Sequence, residues 1–592
     1  MKNGIKDFRF ITCLLCLGLL FTGTGCSDSD FDLSNLDTTI GIGGDALVLP
    51  TSDTEEIQLD EVLDLNNSDV VSIKENGDYY FSKEGDDVSP ANPEINVINL
   101  VKQSSSSDNL YVDFASPAPA RNGMRKAGMT KTAEGIVSTI TFKGDTPEEV
   151  KELVSAEVMQ KINIHITASA GLKQLVSQFS SLELVFPEFM QLKSETLANG
   201  AVVSGNTVKL SNVSSANAID VVAELEKIDF KTTSTIGSSF LKNEGGVVDL
   251  NAQILARITL DEINAGVSGV SDSYLACEMD MSDMVLEKVT GRFDPSVELN
   301  DLGSFTISSI PDFLSDNDVK INLYNPLVTL SFDSDMDIAG LVSGVICAED
   351  ESGKVIARVN VPEMTIKPNQ KTTVLICKYA SEVNASAYDE VKEVKNLSDL
   401  LYTIPKRVYF EADARADANR VSSFRLGKSY TITPKYSVEA PLAFDEGASI
   451  VYNDTIDGLY GDLDEYSLMD GAYVEMNAEV VNKVPLALDV TANAIDVNGN
   501  AISSDLISVE VETSVSPSKD GVEAAVSPLK VVIKEKKKGT LKTVDGIALR
   551  AEAASGEGQQ SIVGKTINAY NQTLVVRNIK VKLVGRVIAD LN

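Results

Sequence analysis

The sequence predicts a mainly β protein, with tandem β-sandwich domains in its second half and an α+β section in its N-terminal half. Three observations carry this prediction. Apolar and polar residues alternate over many short runs, as around Ile162, Ile164 and Ile166, which is the period of a strand with one buried face. Turn pairs such as Asn76-Gly77, Asn199-Gly200 and Asn498-Gly499 punctuate those runs, and such pairs accept the left-handed backbone of tight turns. After residue 300 a pattern of strand, asparagine with a nearby proline, strand, turn and strand occurs twice. A sheet that is apolar on one face needs a second sheet to cover it.

In chain order, residues 1–25 have the three parts of an export signal: a basic start with Lys2, Lys6 and Arg9, the apolar run Phe10 to Phe21, and small residues before Cys26. The apolar core is shorter than the roughly 20 residues a membrane-spanning helix needs. The segment resembles a bacterial lipoprotein signal peptide, with Gly23 where leucine is usual. That resemblance implies lipidation of Cys26, whose sulfur receives diacylglycerol and which becomes the mature N-terminus. The following Ser27-Asp28-Ser29-Asp30 resembles the acidic tether of surface-exported lipoproteins in the Bacteroidetes. The location it implies is the outer membrane, lipid-anchored and exposed at the cell surface. No later stretch is long and apolar enough to cross a bilayer as a helix.

Removing 1–25 leaves 48 Lys+Arg against 86 Asp+Glu, a net charge of −38 on 567 residues. That charge repels nucleic-acid phosphates, whose binding needs a positive surface, so no nucleic-acid partner is expected. With 43% hydrophobic residues the chain can build cores, and its length predicts several domains.

Residues 26–114 read as the acidic tether and a small N-terminal β unit, with a hairpin of Val70 to Lys74 and Asp78 to Ser82 about a type I′ turn at Asn76-Gly77. Residues 115–133, with Pro117, Pro119, Arg121, Arg125, Lys126 and Lys131, read as a basic linker. An α+β or helix-decorated β domain follows over 134–300. Thr146-Pro147-Glu148-Glu149 has the form of a helix start, with Val150, Leu153 and Val154 on one face. Leu172, Leu175, Val176 and Phe179 again have helical spacing, and Val247 to Leu260 is a long strand-like run.

Residues 301–430 and 431–592 read as β-sandwich domains. In the first, Asn325-Pro326 interrupts an early strand and Glu351-Ser352-Gly353-Lys354 forms a turn; in the second, Asn482 and Pro485 precede the turn Asn498-Gly499. The pattern resembles the β-sandwich of the late-embryogenesis-abundant water-stress family, which implies a sandwich and no function. The run Lys534-Glu535-Lys536-Lys537-Lys538 suits a charged hairpin tip or sheet edge.

No arrangement of catalytic residues stands out, and no cofactor is implied. His165 is the only histidine; it falls opposite Ile162, Ile164 and Ile166 and reads as an ordinary polar-face residue. Cys277, Cys347 and Cys377 lack metal-ligand spacing and read as buried free thiols, with a Cys347–Cys377 pair as the alternative. Asp333, Asp335 and Asp337 alternate as in a calcium loop, but Gly340 and Gly344 stand where an EF-hand pattern would not place them. Asp454, Asp457, Asp462, Asp464 and Glu465 form a second acidic group, and no metal site is assigned to either. Three classes of function follow. The first is a non-catalytic surface lipoprotein that binds or scaffolds a protein or glycan partner. The second is a polymerising subunit resembling fimbrillins, cut at Arg121 or Arg125. The third is glycan handling, either capture, in which tyrosines such as Tyr79, Tyr80, Tyr452 and Tyr460 replace the absent tryptophan, or hydrolysis by a pair of carboxylates whose separation is set by the fold.

Overall fold

Alternation in the sequence becomes alternation of burial: in the strand Val247–Leu260 every second residue from Val248 onward is buried. The computed structural model describes the chain from Thr39 to Asp590, apart from 43–46, 51–56, 59–67, 69, 114–130, 261–271, 300, 310–318, 457–465, 469–472, 513, 541–542, 555–562 and 585–586. Among the described residues six sheets form three two-sheet sandwiches, and Thr39–Ile42, Tyr466–Leu468 and Val587–Asp590 form a short ribbon. The α+β section reduces to one six-residue helix, Ala170–Leu175, capped by the Ser169 side chain, within an otherwise β region.

The first sandwich packs a nine-stranded sheet, centred on Gln178–Val185, Val247–Leu260 and Lys131–Asp145, against a seven-stranded one. In the latter, the long strand Val150–Ala168 lies between Ile219–Asp229 on one side and Tyr274–Asp280 and Lys288–Phe293 on the other. Ile162, Ile164 and Ile166 point into the core beside Cys277. Each large side chain so buried contributes about 1.5–3 kcal/mol.

The helix expected from Pro147 does not form. Thr146 to Glu149 make a turn closed by Val150 N–H to Pro147 C=O at 3.0 Å, and the chain continues as strand. The helical spacing of Val150 and Leu153 comes from β-bulges: the register against Lys288–Phe293 shifts twice, leaving Lys151 and Val154 without partners. A bulge inserts one residue and converts a two-residue period locally into three. The later helical run is likewise split, with Leu172 and Leu175 in the short helix and Phe179 in the next strand.

In the second sandwich one sheet runs Asp301–Thr306, Arg407–Ala416, Gly340–Glu349, Val355–Ile366. The facing sheet runs Glu390–Glu393, Gln370–Cys377, Leu327–Ser334, Ile432–Pro441, Tyr79–Glu84, Val71–Ile73. The third sandwich repeats the core of this order with Ser449–Ile456, Gly546–Ala554, Ala487–Ile495, Ser514–Val515 against Ile507–Glu512, Ala525–Glu535, Tyr473–Asn482, Thr573–Val584, Leu47–Pro50. The strand Ile432–Pro441 thus belongs to the second sandwich although it lies beyond residue 430.

The N-terminal residues are distributed among all three sandwiches. Leu47–Pro50 pairs with Thr573–Val584, Tyr79–Glu84 with Ile432–Pro441, and Ile98–Ser107 with Lys131–Asp145. The expected hairpin is present, but its turn is wider than type I′. Gly77 N–H bonds Lys74 C=O at 2.8 Å and Lys74 N–H bonds Asp78 C=O at 2.9 Å, with only Gly77 of the loop left-handed. This is a type I turn with a glycine bulge, which needs one positive φ where type I′ needs two. The Asn568 side chain bonds Asn76 C=O and Asp78 across the loop, each at 2.9 Å. The hairpin therefore ties the second sandwich to a loop of the third.

Candidate functional site

Pairing of four strands builds one open, mixed aromatic and polar surface on the outer side of the seven-stranded sheet. Residues paired in an antiparallel ladder share a face. Tyr111 of Asn109–Tyr111 is opposite Tyr274, Ala276 is opposite Asn109 and Thr167, and His165 lies between Asp220 and Glu278. Tyr111 is 64% exposed, and its ring meets that of Tyr274 with centroids 5.4 Å apart and planes at 56°. His165 Nδ1 and Asp220 Oδ1 are hydrogen-bonded at 2.6 Å. Lys102 Nζ pairs with Asp280 at 2.9 Å near the far end of the same face. The Glu278 side chain forms no ion pair with the described residues and faces solvent.

Cys26, Arg121, Arg125 and Tyr460 lie outside the described residues, as do Asp457, Asp462, Asp464 and Glu465. His165 occupies the polar face, opposite the buried isoleucines. The three cysteines are buried free thiols. Cys347 and Cys377 stand in opposite sheets of the second sandwich, and burial pushes the Cys277 thiol up to about 12. Tyr79 is fully buried and offers no ring to a glycan; the Tyr80 ring is covered by Lys74 Nζ, 3.3 Å from its centroid. Lys534 pairs with Glu510 across two strands at 2.7 Å.

The Asp333-to-Asp337 loop has a bracing role. Asp335 accepts Thr431 N–H at 2.7 Å, and Asp337 accepts Tyr430 Oη at 2.5 Å, Asn369 Nδ2 at 3.1 Å and Arg425 Nε at 3.3 Å. Burial opposes ionisation of Asp337, but these hydrogen bonds outweigh it and hold its carboxyl below the usual range. Two of the three carboxylates that suggested calcium, Asp335 and Asp337, are thus engaged by protein donors.

A second polar cluster, unread in the sequence, lies at the end of the second sandwich. Lys378 Nζ contacts Asp445 at 2.7 Å and Ser398 Oγ at 3.1 Å, and Tyr379 Oη donates to Asp445 at 3.2 Å. The contact between serine and lysine resembles a nucleophile and base. Burial of Asp445 is outweighed by the Lys378 hydrogen bond, which holds that carboxyl below its usual range, and Lys378 Nζ is shared between Asp445 and Ser398. Asn325 completes the cluster: its Oδ1 accepts Lys378 N–H and Tyr379 N–H, each at 3.0 Å, and its Nδ2 donates to Tyr379 C=O at 3.2 Å. Tyr324 donates to Glu382 at 2.7 Å, and that bond raises its hydroxyl to about 12. The groups satisfy one another, and the cluster joins loops rather than presenting an open site.

No protein-family model and no curated protein matches the sequence. Among solved structures the chain is similar to a "putative secreted protein" from Parabacteroides distasonis, at 15% identity and a TM-score of 0.33, over 68% of this chain and 98% of that one. A structure of infectious bursal disease virus, Gt strain, matches at 9% identity and a TM-score of 0.12, over 88% of this chain and 83% of that one. Among the described residues no helix is long and apolar enough to cross a membrane.

Proposed function

We propose that this protein is a non-catalytic lipoprotein, held in the outer membrane by acyl chains on Cys26, that binds or scaffolds a partner at the cell surface through the open face of its first sandwich. The observation that carries the reading is that face: the exposed Tyr111 ring against the half-buried Tyr274 ring, beside a row of hydrogen-bonding side chains on a sheet whose other side is core. Acyl chains anchor by burying methylenes, stably when more than one is attached. The net charge of −38 on the mature chain keeps such a protein soluble and unattractive to nucleic acid. The partner is a protein or a glycan.

The fimbrillin-like alternative has less support. A cut at Arg121 or Arg125 would have to free a segment that supplies strands to three sandwiches and buries Tyr79, Phe81, Ile98, Leu100 and Leu110. Mass spectrometry of the native N-terminus and protease shaving of intact cells test the proposal. It expects a diacylated Cys26 and an ectodomain open to protease; an unmodified terminus at another residue removes the anchor, and full protection removes the surface assignment.

A further inference from the structure

We infer that the ligand of the open face is a neutral oligosaccharide, an inference that rests on the binding role proposed above and names its chemistry. The face divides into two parts along the strand Tyr274–Asp280. At one end Tyr111 and Tyr274 set their rings at 56°, offering a partly exposed apolar wall for the C–H face of a sugar ring. Ala276 follows on the same face with only a methyl group and leaves a low floor between Tyr274 and Glu278. Asn109 and Thr167 flank that floor across the two neighbouring strands. Beyond it the Glu278 carboxylate and the His165 ring stand side by side.

Four steps of strand lead from Tyr274 to Glu278, a span of about 13 Å, long enough for a short oligosaccharide to cover both ends. The electrostatics select against charged ligands. His165 is engaged by Asp220 and Lys102 by Asp280, and Lys161 is a single exposed cation further along the same strand face, so no basic cluster awaits an anion. Glu278 alone is a weak lure for a polycation. What remains is hydrogen-bonding capacity: His165 Nε2, the Glu278 oxygens, the Asn109 amide and the Thr167 hydroxyl, set beside an aromatic wall. That combination suits hydroxyl groups on a ring with an apolar face.

The test uses the full mature chain carrying Cys26→Ser, run in native gels cast with laminarin, mannan, starch, xyloglucan or, as the anionic control, polygalacturonate. The inference expects retardation by at least one neutral polysaccharide and none by polygalacturonate. Tyr111→Ala with Tyr274→Ala should abolish that retardation, and Tyr111→Phe should preserve it; unchanged circular dichroism separates loss of binding from loss of fold. Retardation by polygalacturonate alone, by nothing, or equally with the double alanine variant overturns the inference. Tyrosine labelling on intact cells separates this failure from failure of the binding role. Protection of Tyr111 in cells without retardation in any neutral gel means the face is used for another ligand, whereas no protection removes the role itself.

Discussion

The second and third sandwiches share one strand order but are stabilised differently. In the second, Phe305, Phe332 and Phe410 are buried within one continuous core. In the third, Val451, Val484, Leu486 and Ile567 join that same core, and among the described residues Ala494, Ile507 and Val544 form a further small cluster. Both depend on a buried asparagine, at opposite ends of equivalent strands. Asn325 precedes Leu327–Ser334 and holds the backbone of Lys378 and Tyr379, whereas Asn482 ends Tyr473–Asn482. The Asn482 Nδ2 donates to the carbonyls of Leu486 and Ser516, both at 3.0 Å, and its Oδ1 accepts Val484 N–H at 2.8 Å. A topology can be repeated while the polar anchors that fix its loops are set independently.

The largest expected contrast is in the cores. Phe332→Ala should cost about 4 kcal/mol and Ile507→Ala about 2–3 kcal/mol. Hydrogen exchange on the intact protein should show each loss confined to its own sandwich, with the third opening first in the unaltered chain. Equal protection of both would break the contrast. Next come the asparagines: Asn482→Ala and Asn325→Ala each strand three backbone groups, and each should cost about 3 kcal/mol. A small effect at either one would mean that its loop is held by other contacts.

Acid should separate the two sandwiches more gently. The folded-state values of Asp337 and Asp445 are depressed below the ordinary 3.8, so their stabilisation is fully present above that pH and is lost as pH falls through the lower folded values. The shifted carboxylates described in the third sandwich, Asp496, Glu510 and Asp520, are on solvent-accessible turns and a strand surface. Exchange at pH 3 relative to pH 6 should therefore weaken the second sandwich more.

The smallest effect tests equivalence. The turns at Asp350 and Asp496 are superimposable in their bonding: each aspartate accepts two backbone N–H groups, and Gly353 and Gly499 have φ of 78° and 77° with open space at their Cβ positions. Gly353→Ala and Gly499→Ala should each cost about 1 kcal/mol, equally within error in thermal unfolding.

These turns were legible in the sequence because aspartate, glycine and a five-residue span act locally. The buried faces of Ile162 to Ile166 and Val247–Leu260 were legible for the same reason. The false helix at Pro147 shows the limit, since a bulge imposed by the partner strand Lys288–Phe293 changed the period that sequence reading relies on. The open face was hidden for a related reason. Tyr111 and Tyr274 are 163 positions apart, and neither run carries a signal of its partner. The Lys378–Asp445 contact likewise depends on loops brought together only by folding. Asn325 is legible in the sequence as half of a proline step, but nothing local signals its bonds to residues 378 and 379.

Labelling of surface tyrosines on intact cells with a membrane-impermeant iodinating reagent, compared with the same reaction on the purified chain, tests the central claim most directly. The account predicts that Tyr111, 64% exposed in the isolated protein, is modified readily after purification and protected on cells, while exposed Tyr570 is modified in both. Equal modification of Tyr111 in the two samples would contradict occupation of the face, and absence of label from both tyrosines on cells would contradict the surface location.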